Sequence, residues 1–224
     1  MAAKRISIHP RWVLPITIFA HLLALAVFIL VLVWLLHFRE GLSFDSDNKG
    51  KIFNLHPFFM LLGFILFSGE AIMAYRTVRG VRRTQKLLHL ILHLIALVAG
   101  IIGIYAVFKF HDEIESPNMY TLHSWIGLST FILFGLQWLF AFFSFWYPKA
   151  RTAIRARFLP WHAVLGLVIF LMAIVTAETG LVERFHFLGL VRSQEALIVN
   201  FIGLLVLLFA IAVAVGVALP KTTY

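Results

Sequence analysis

Four histidines recur at similar intervals through the middle of the sequence: His56, His89, His123 and His162. They are separated by 33, 34 and 39 residues, and each lies near the start of a long apolar stretch. An imidazole in apolar surroundings needs a polar partner or a bound metal, because an unsatisfied polar group is costly there. A single histidine of this kind is most often a hydrogen-bonded packing residue or part of a proton relay. Four histidines at similar positions in successive apolar stretches favour a shared role in binding a ligand.

The apolar stretches that carry these histidines are long enough to cross a lipid bilayer. The chain has 224 residues, 62% of them hydrophobic and 13% charged, which is typical of a polytopic membrane protein rather than a soluble domain. A membrane-spanning helix needs about 20 apolar residues. The first stretch is interpreted as a retained helix, because it is too long for a signal peptide. The six predicted helices are residues 13–36, 53–75, 87–108, 122–146, 159–179 and 197–219.

The composition excludes several kinds of redox and binding site. The sequence contains no cysteine, so a disulfide framework, a thiolate metal site and an iron–sulfur cluster are all excluded. Redox chemistry would therefore require a bound cofactor. The formal net charge is +9. In a chain this apolar, that charge indicates loops facing anionic lipid or anionic substrates rather than nucleic acid.

Positive charge is concentrated in alternate connections between the predicted helices. The two terminal segments, the connection at 76–86 and the connection at 149–157 contain basic residues and no acidic residue, whereas the other three connections mix both signs. By the positive-inside rule, the purely basic side is cytoplasmic and both termini face the cytoplasm. The basic residues on that side are Lys4, Arg5, Arg11, Arg76, Arg79, Arg82, Arg83, Lys86, Lys149, Arg151, Arg155, Arg157 and Lys221.

The alternating direction of successive helices sorts the four histidines into two pairs. His56 and His123 are expected just inside the non-cytoplasmic face, and His89 and His162 just inside the cytoplasmic face. Two imidazoles on facing helices are what a six-coordinate b-type haem requires, because the porphyrin supplies the other four nitrogens. Zinc is disfavoured, since a structural zinc ion takes four ligands together. The pattern therefore predicts a haem near each face.

Two glycines favour a flat ligand beside these histidines. Gly127 follows His123 by four residues, and Gly166 follows His162 by four, so each glycine shares a helix face with a histidine. The missing side chain would leave room for the edge of a porphyrin. Close approach of two helices is an equally good explanation, because small residues commonly allow it in membranes.

Three further histidines lie near the predicted pairs. His93 is one helical turn beyond His89 and is its rival as a ligand, although a packing or hydrogen-bonding role beside the cytoplasmic haem is favoured. His111, at the non-cytoplasmic end of the third predicted helix, is a candidate for contact with a substrate. His21 lies within the first predicted helix, and the sequence offers no explanation for it.

Basic residues precede both cytoplasmic histidines. The positive-inside rule accounts for the presence of these charges but not for their closeness to both candidate ligands. A small anionic reductant would be attracted to such a site and held beside the haem. The residues are Arg82, Arg83 and Lys86 before His89, and Arg155 and Arg157 before His162.

Five segments of the sequence form a recognisable set, in order along nearly the whole chain. They are FNLHP at 53–57, GEAIMAYR at 69–76, KLLHLILH at 86–93, NMYTLHSW at 118–125 and LPWH at 159–162. Together they resemble the cytochrome b561 family, in its ascorbate-reducible, six-helix form found in plants and animals. Residues 1–224 are accordingly interpreted as a single cytochrome b561 transmembrane domain.

The resemblance implies a fold, cofactors and a function. The fold is all-α, with six transmembrane helices and a two-haem core in the four-helix bundle of helices 2 to 5. The cofactors are two haems b, one held by His89 and His162 and the other by His56 and His123. The function is electron transfer from cytoplasmic ascorbate to monodehydroascorbate or a ferric chelate across the membrane. Members of the family are commonly homodimers.

The resemblance also implies two substrate sites. Cytoplasmic ascorbate is expected at the basic cluster, with either Arg82 or Arg83 as a contact. The non-cytoplasmic substrate is expected at the opposite face. The residues implied are Arg82, Arg83, Lys86 and Arg157 for the first site, and His111, Asn118 and Tyr120 for the second.

Two other functions are compatible with the sequence. A haem-bearing anchor subunit of a quinone-linked complex would need a partner protein and would stay oxidised in ascorbate alone. A proton-coupled transporter that uses the histidines as a relay would have no haem absorbance. The sequence does not distinguish among the plasma, vacuolar and other endomembranes.

Overall fold

Six long helices account for all six predicted transmembrane segments in the computed structural model, which describes residues 13–219. Each helix is long and apolar enough to cross a bilayer, so the prediction of an all-α, multi-pass membrane protein is confirmed. The basic residues Lys4, Arg5, Arg11 and Lys221 lie outside the described residues. The helices are α1, Val13–Phe38; α2, Lys49–Thr77; α3, Arg82–Glu113; α4, Leu122–Trp146; α5, Thr152–Phe187; and α6, Gln194–Ala218.

Several helices extend beyond their predicted apolar windows. Helix α3 begins five residues before the window at 87–108, and α5 continues to Phe187, well past the window at 159–179. Apolar composition marks the part of a helix that lies in hydrocarbon. The backbone hydrogen bonds of a helix continue into charged sequence, so hydropathy alone places the start of a helix too late and its end too early.

Helices α2, α4 and α6 all start at one end of the bundle, and each has a side-chain cap at its first turn. The side chains of Asn48, Thr121 and Ser193 accept hydrogen bonds from backbone N–H groups at the starts of α2, α4 and α6. Each cap satisfies one of the N–H groups that the first turn of a helix leaves without a partner. We call this end, with connections 39–48, 114–121 and 188–193, the mixed-charge end. The other, with connections 78–81 and 147–151, is the basic end.

Helices α2 to α5 form a ring in which each packs against the next and α5 packs back against α2. Helices α1 and α6 pack against each other, and both contact α2, so they cover one side of the ring. The apolar core includes Val27, Ile65, Phe170 and Phe209, which come from α1, α2, α5 and α6. Apolar side chains on the outward faces of the helices remain exposed, as expected for surfaces that face lipid.

Helix α2 is distorted just after His56. Pro57 follows this histidine, and the backbone from Phe58 to Leu66 adopts the wider turns of a π-helix. Proline has no backbone N–H and cannot continue the regular hydrogen-bond ladder. Wide turns of this kind commonly lie at functional sites. No sequence pattern predicts this change in helix geometry.

A buried ion pair joins the end of α1 to the start of α6. Glu195 accepts a hydrogen bond from Trp34 Nε1 at 2.9 Å and, on its other oxygen, one from the guanidinium of Arg39. The Glu195 side chain is 9% exposed. The backbone carbonyls of Arg39 and Gly41 in turn accept hydrogen bonds from Asn54 Nδ2. This network therefore fixes the segment of α2 that lies two residues before His56.

Replacing Glu195 by alanine is expected to lower the free energy of unfolding by about 3 kcal/mol, because Arg39 and Trp34 lose their buried acceptor. Thermal unfolding in detergent micelles would measure this change. The matched control is Asp47→Ala, which removes an exposed carboxylate at the same end of the bundle. Equal melting temperatures for the two variants would contradict a structural role for the Glu195 network.

Candidate haem-binding site

His56 of α2 and His123 of α4 face each other at the mixed-charge end of the bundle. Their ring centres are 6.1 Å apart and their planes are nearly perpendicular, at 89°. His56 Nδ1 lies 3.0 Å from the carbonyl oxygen of Gly103, and His123 Nδ1 lies 2.9 Å from that of Thr176. Because a carbonyl only accepts, each Nδ1 carries the proton and donates it. In the neutral ring this leaves Nε2 unprotonated, in the form that binds a metal.

His89 of α3 and His162 of α5 form a second pair at the basic end. Their ring centres are also 6.1 Å apart, with an angle of 78° between the planes. His89 Nδ1 donates to the carbonyl oxygen of Ala71 at 2.8 Å. His162 Nδ1 is buried and has no hydrogen-bond partner among residues 13–219. Three of the four histidines are thus oriented by a carbonyl on a neighbouring helix.

The spacing within each pair fits one metal ion between two imidazoles. With metal–nitrogen bonds of about 2 Å, and a ring nitrogen about 1 Å from the ring centre, the two ring centres lie about 6 Å apart. Both pairs have this separation. In the described part of the chain, no group of three histidine or carboxylate side chains could hold a metal ion. A metal ion held by either pair would take its remaining ligands from a cofactor, and two facing imidazoles fit the axial ligation of haem iron.

A cavity of about 220 Å³ surrounds the pair at the mixed-charge end. Its interior is lined by His56, His123 and apolar side chains that include Phe64 and Phe131. The residues predicted to meet the non-cytoplasmic substrate also line it. His111 Nδ1 lies 2.8 Å from Asn118 Oδ1, and the exposed Tyr120 lies beside the same cavity. The structure therefore brings all three predicted substrate residues together next to one histidine pair.

His93 packs against His89 rather than facing a partner across the bundle. The two ring centres are 4.5 Å apart, and the His93 ring also contacts Phe134. Among the described residues, His93 Nδ1 has no hydrogen-bond partner, and neither does Ser68 Oγ. Both side chains line a small cavity in the middle of the bundle. This position is consistent with His93 as a neighbour of the ligand pair.

His21, which the sequence left unexplained, is paired with Glu70. Its Nδ1 lies 2.9 Å from Glu70 Oε1, and the contact joins α1 to α2. The two residues are 49 positions apart, and no local pattern links them. The sequence could show only that each was an ionisable residue inside an apolar helix.

Cations gather around Lys86 at the basic end. The charges of Arg82, Lys149 and Arg155 all act on Lys86, and the Arg82 guanidinium lies 5.5 Å from the centre of the Tyr75 ring. Lys149, in the connection between α4 and α5, was not among the predicted site residues. The other predicted contacts, Arg83 and Arg157, are exposed. None of these cations forms an ion pair with a carboxylate within residues 13–219.

Glycines allow α4 and α5 to approach closely. A Cβ at Gly127 would lie 3.0 Å from Thr176 Cγ2, and one at Gly166 would lie 2.9 Å from Gln137 Nε2. These distances fit close helix approach, one of the two explanations considered from the sequence, while Gly127 also lines the cavity around His123 and Gly166 the small cavity beside His93. A third glycine, Gly180, lies against the His123 ring, where a Cβ would be 2.6 Å from Cε1. Sequence reasoning missed Gly180 because it is on a different helix from His123.

Six apolar helices and two facing histidine pairs are the features expected of a membrane-embedded haem protein. The sequence matches eukaryotic cytochrome b561 over residues 55–188, a segment that contains all four histidines. The chain therefore belongs to the cytochrome b561 family, and the family resemblance stated from the sequence is confirmed. Membership of this family implies haem b as the cofactor.

Relatives in plants and animals match most of the chain. It is 48% identical over 211 residues to a probable ascorbate-specific transmembrane electron transporter 2 of Oryza sativa subsp. japonica, covering 92% of this chain and 89% of the relative. It is 43% identical to transmembrane ascorbate ferrireductase 2 of Arabidopsis thaliana, covering 92% of each. It is 37% identical to a transmembrane ascorbate-dependent reductase of Mus musculus, covering 87% of this chain and 79% of the relative.

Replacing Gly180 by alanine is expected to displace the His123 ring and to alter one haem while sparing the other. The added methyl group would overlap the imidazole, which has Thr176 as its hydrogen-bond partner on the same helix. Haem content and the low-temperature absorption spectrum would show the change. Gly135→Ala is the matched control, because a Cβ there meets Leu97 at an ordinary 3.8 Å. An unaltered spectrum in Gly180→Ala would contradict this packing.

Proposed function

We propose that the protein transfers electrons from ascorbate, through two b-type haems, to monodehydroascorbate or a ferric chelate on the other side of the membrane. The observation that carries this proposal is the presence of two equivalent histidine pairs at opposite ends of one bundle. The names of its relatives, which include ascorbate ferrireductases and ascorbate-specific electron transporters, support the same reaction. Bound haem supplies one-electron chemistry, since its iron alternates between the ferric and ferrous states.

The protein contributes ligation and orientation. His56 and His123 would hold one haem, and His89 and His162 the other. The hydrogen bonds from Nδ1 to backbone carbonyls keep Nε2 available and raise its basicity as a ligand. Apolar residues around each pair exclude water, which keeps the cofactors within the membrane-spanning part of the fold.

The cluster around Lys86 would collect the anionic donor. Ascorbate is an anion near neutral pH, and an uncompensated group of cations raises the local concentration of such a substrate. Lys149 joins the residues identified from the sequence, and Arg155, which precedes His162, belongs to the same site, because the charges of both act on Lys86. Arg82, Arg83 and Arg157 complete the proposed set. The positive-inside rule supports a cytoplasmic location for this end and for both termini.

The cavity at the mixed-charge end would receive the acceptor. Because His111 Nδ1 lies 2.8 Å from Asn118 Oδ1, its Nε2 would be the nitrogen that contacts a substrate, with Tyr120 exposed nearby. A single domain over residues 1–224 and a homodimeric assembly belong to the same proposal and rest on the family resemblance. No observation favours the anchor-subunit or transporter alternatives.

Titration of the purified protein with ascorbate tests this function. We expect two haems per polypeptide, both reducible by ascorbate without a partner protein. An anchor subunit of a quinone-linked complex would stay oxidised under these conditions. Colourless, correctly folded protein would refute the proposal.

Alanine substitutions of the four histidines test the ligand pairs. His89→Ala or His162→Ala is expected to remove one haem, and His56→Ala or His123→Ala the other, because each porphyrin loses an axial ligand. Pyridine haemochrome content and the spectra of the remaining haem would distinguish the two groups. His93→Ala is the control and should keep both haems. Loss of the same haem from one variant of each group, such as His89→Ala and His123→Ala, would refute the assignment.

Neutralising the basic cluster tests the donor site. The double variant Lys86→Gln, Arg155→Gln is expected to raise the ascorbate concentration for half-maximal haem reduction about tenfold, since local attraction of the anion weakens. Haem content should not change. The effect should shrink at high salt, which screens exposed charges.

Lys51→Gln, at the mixed-charge end, is the control for removal of a cation far from the donor site. Equal ascorbate dependence in the double variant, the Lys51→Gln variant and the unaltered protein would show that Lys86 and Arg155 have no role in donor binding.

A further inference from the structure

We propose that Arg184 binds a carboxylate at the mouth of the cavity that contains His56 and His123. This inference rests on the proposed haem at that pair. The sequence predicts no role for Arg184, and electron transfer through the two proposed haems does not require it. Its position, its contacts and the lack of an anionic partner in the described part of the chain together assign it to this site.

Arg184 lies one helical turn from the His123 contact. Gly180 of α5 packs against the His123 ring, and Arg184 follows Gly180 by four residues, so it lies on the same face, displaced towards the mixed-charge end. Both residues line the cavity. A ligand held between His56 and His123 and extending towards that end would therefore reach Arg184.

Contacts on the facing helix place the guanidinium across the cavity. Phe53 precedes His56 by three residues on α2, and the two ring centres are 6.2 Å apart. Arg184 Cζ lies 4.0 Å from the centre of the Phe53 ring and 5.3 Å from that of Phe187. Arg184 of α5 therefore contacts α2, the helix that carries His56. The contact lies on the mixed-charge side of the His56–His123 pair.

Within residues 13–219, Arg184 forms no ion pair of the kind that a buried cation requires. Its Nε is buried and has no hydrogen-bond partner among the described residues. The carboxylate that acts on it, Glu195, is already bound by Arg39 and Trp34, and Arg39 adds a repelling charge. A largely buried cation is costly unless it is paired and hydrogen-bonded. Guanidinium geometry matches a carboxylate, which it binds through two parallel N–H groups.

Two ligands could supply this carboxylate. One is a propionate of the haem held by His56 and His123, and the other is an acceptor such as ferric citrate. The one-turn distance from the His123 contact favours the propionate. In that arrangement Arg184 is a positioning residue, and its positive charge would stabilise the ferrous haem by offsetting the negative charge of the propionate.

The experiment compares Arg184→Gln with Arg184→Lys and with Arg192→Gln, an exposed arginine in the connection at the same end. Haem content and the midpoint potentials of both haems are measured by redox titration of the purified holoprotein. Steady-state KM and kcat are then measured with ferric citrate, which is anionic, and with hexaammineruthenium(III), which is cationic.

If the carboxylate is the propionate, Arg184→Gln should lower the potential of the haem that His56→Ala removes. A tenfold decrease in the equilibrium constant for reduction of this haem corresponds to a decrease of about 59 mV in its midpoint potential, because one electron is transferred. The KM for ferric citrate should stay unchanged. Arg184→Lys keeps the charge but not the paired hydrogen bonds, so it should give a smaller shift and provides the test if the Gln variant does not fold. When the protein is reconstituted with haem whose propionates are methylated, the difference in midpoint potential between Arg184→Gln and the unaltered protein should become smaller.

If the carboxylate belongs to the acceptor, both potentials should remain unchanged. The KM for ferric citrate should instead rise about tenfold in Arg184→Gln, while that for hexaammineruthenium(III) should not rise. Unchanged potentials together with unchanged KM values would overturn the inference. Failure of the unaltered protein to bind two haems or to be reduced by ascorbate would refute the proposed function itself, so the two failures are distinguishable.

Discussion

The structure depends on hydrogen bonds from imidazole Nδ1 to backbone carbonyls on neighbouring helices. A carbonyl within a helix already accepts one bond from its own helix and has a second lone pair for another donor. To use that lone pair, the histidine must come very close to the neighbouring backbone. Two of the three accepting residues, Gly103 and Ala71, have minimal side chains. The packing of α2 against α3 therefore sets both the separation of the helices and the orientation of two of the proposed ligands.

The two ends of the bundle differ in how their charges are compensated. At the mixed-charge end, Glu113 pairs with both Lys49 and Lys109, and Glu195 pairs with Arg39. At the basic end, the cations around Lys86 have no carboxylate partner in the described part of the chain. An electrostatic field of one sign therefore remains at the basic end. This difference is consistent with an anionic electron donor on that side.

The sequence predicted the helices and the histidine pairs because both follow from one constraint, the thickness of the bilayer. A helix that must cross it reverses direction at each connection, so the depth of His56 or His162 can be inferred from its distance to the end of an apolar stretch. Contacts between helices are not encoded in this way. Gly180 against His123, Glu70 beside His21 and Lys149 beside Lys86 each join residues on different segments, and no local pattern reveals them. The wide turns after Pro57 were missed because proline indicates a disturbance without specifying its geometry.

The central claim is that two histidine pairs, one at each end of the bundle, carry electrons across the membrane through bound haem. It is tested most directly in sealed vesicles that contain the purified protein, with ascorbate trapped inside and an impermeant ferric chelate outside. We expect reduction of the external iron at a rate that depends on the protein and is lost when either His89 or His123 is replaced by alanine. Equal rates in protein-free vesicles, or a rate unaffected by loss of one histidine pair, would contradict it.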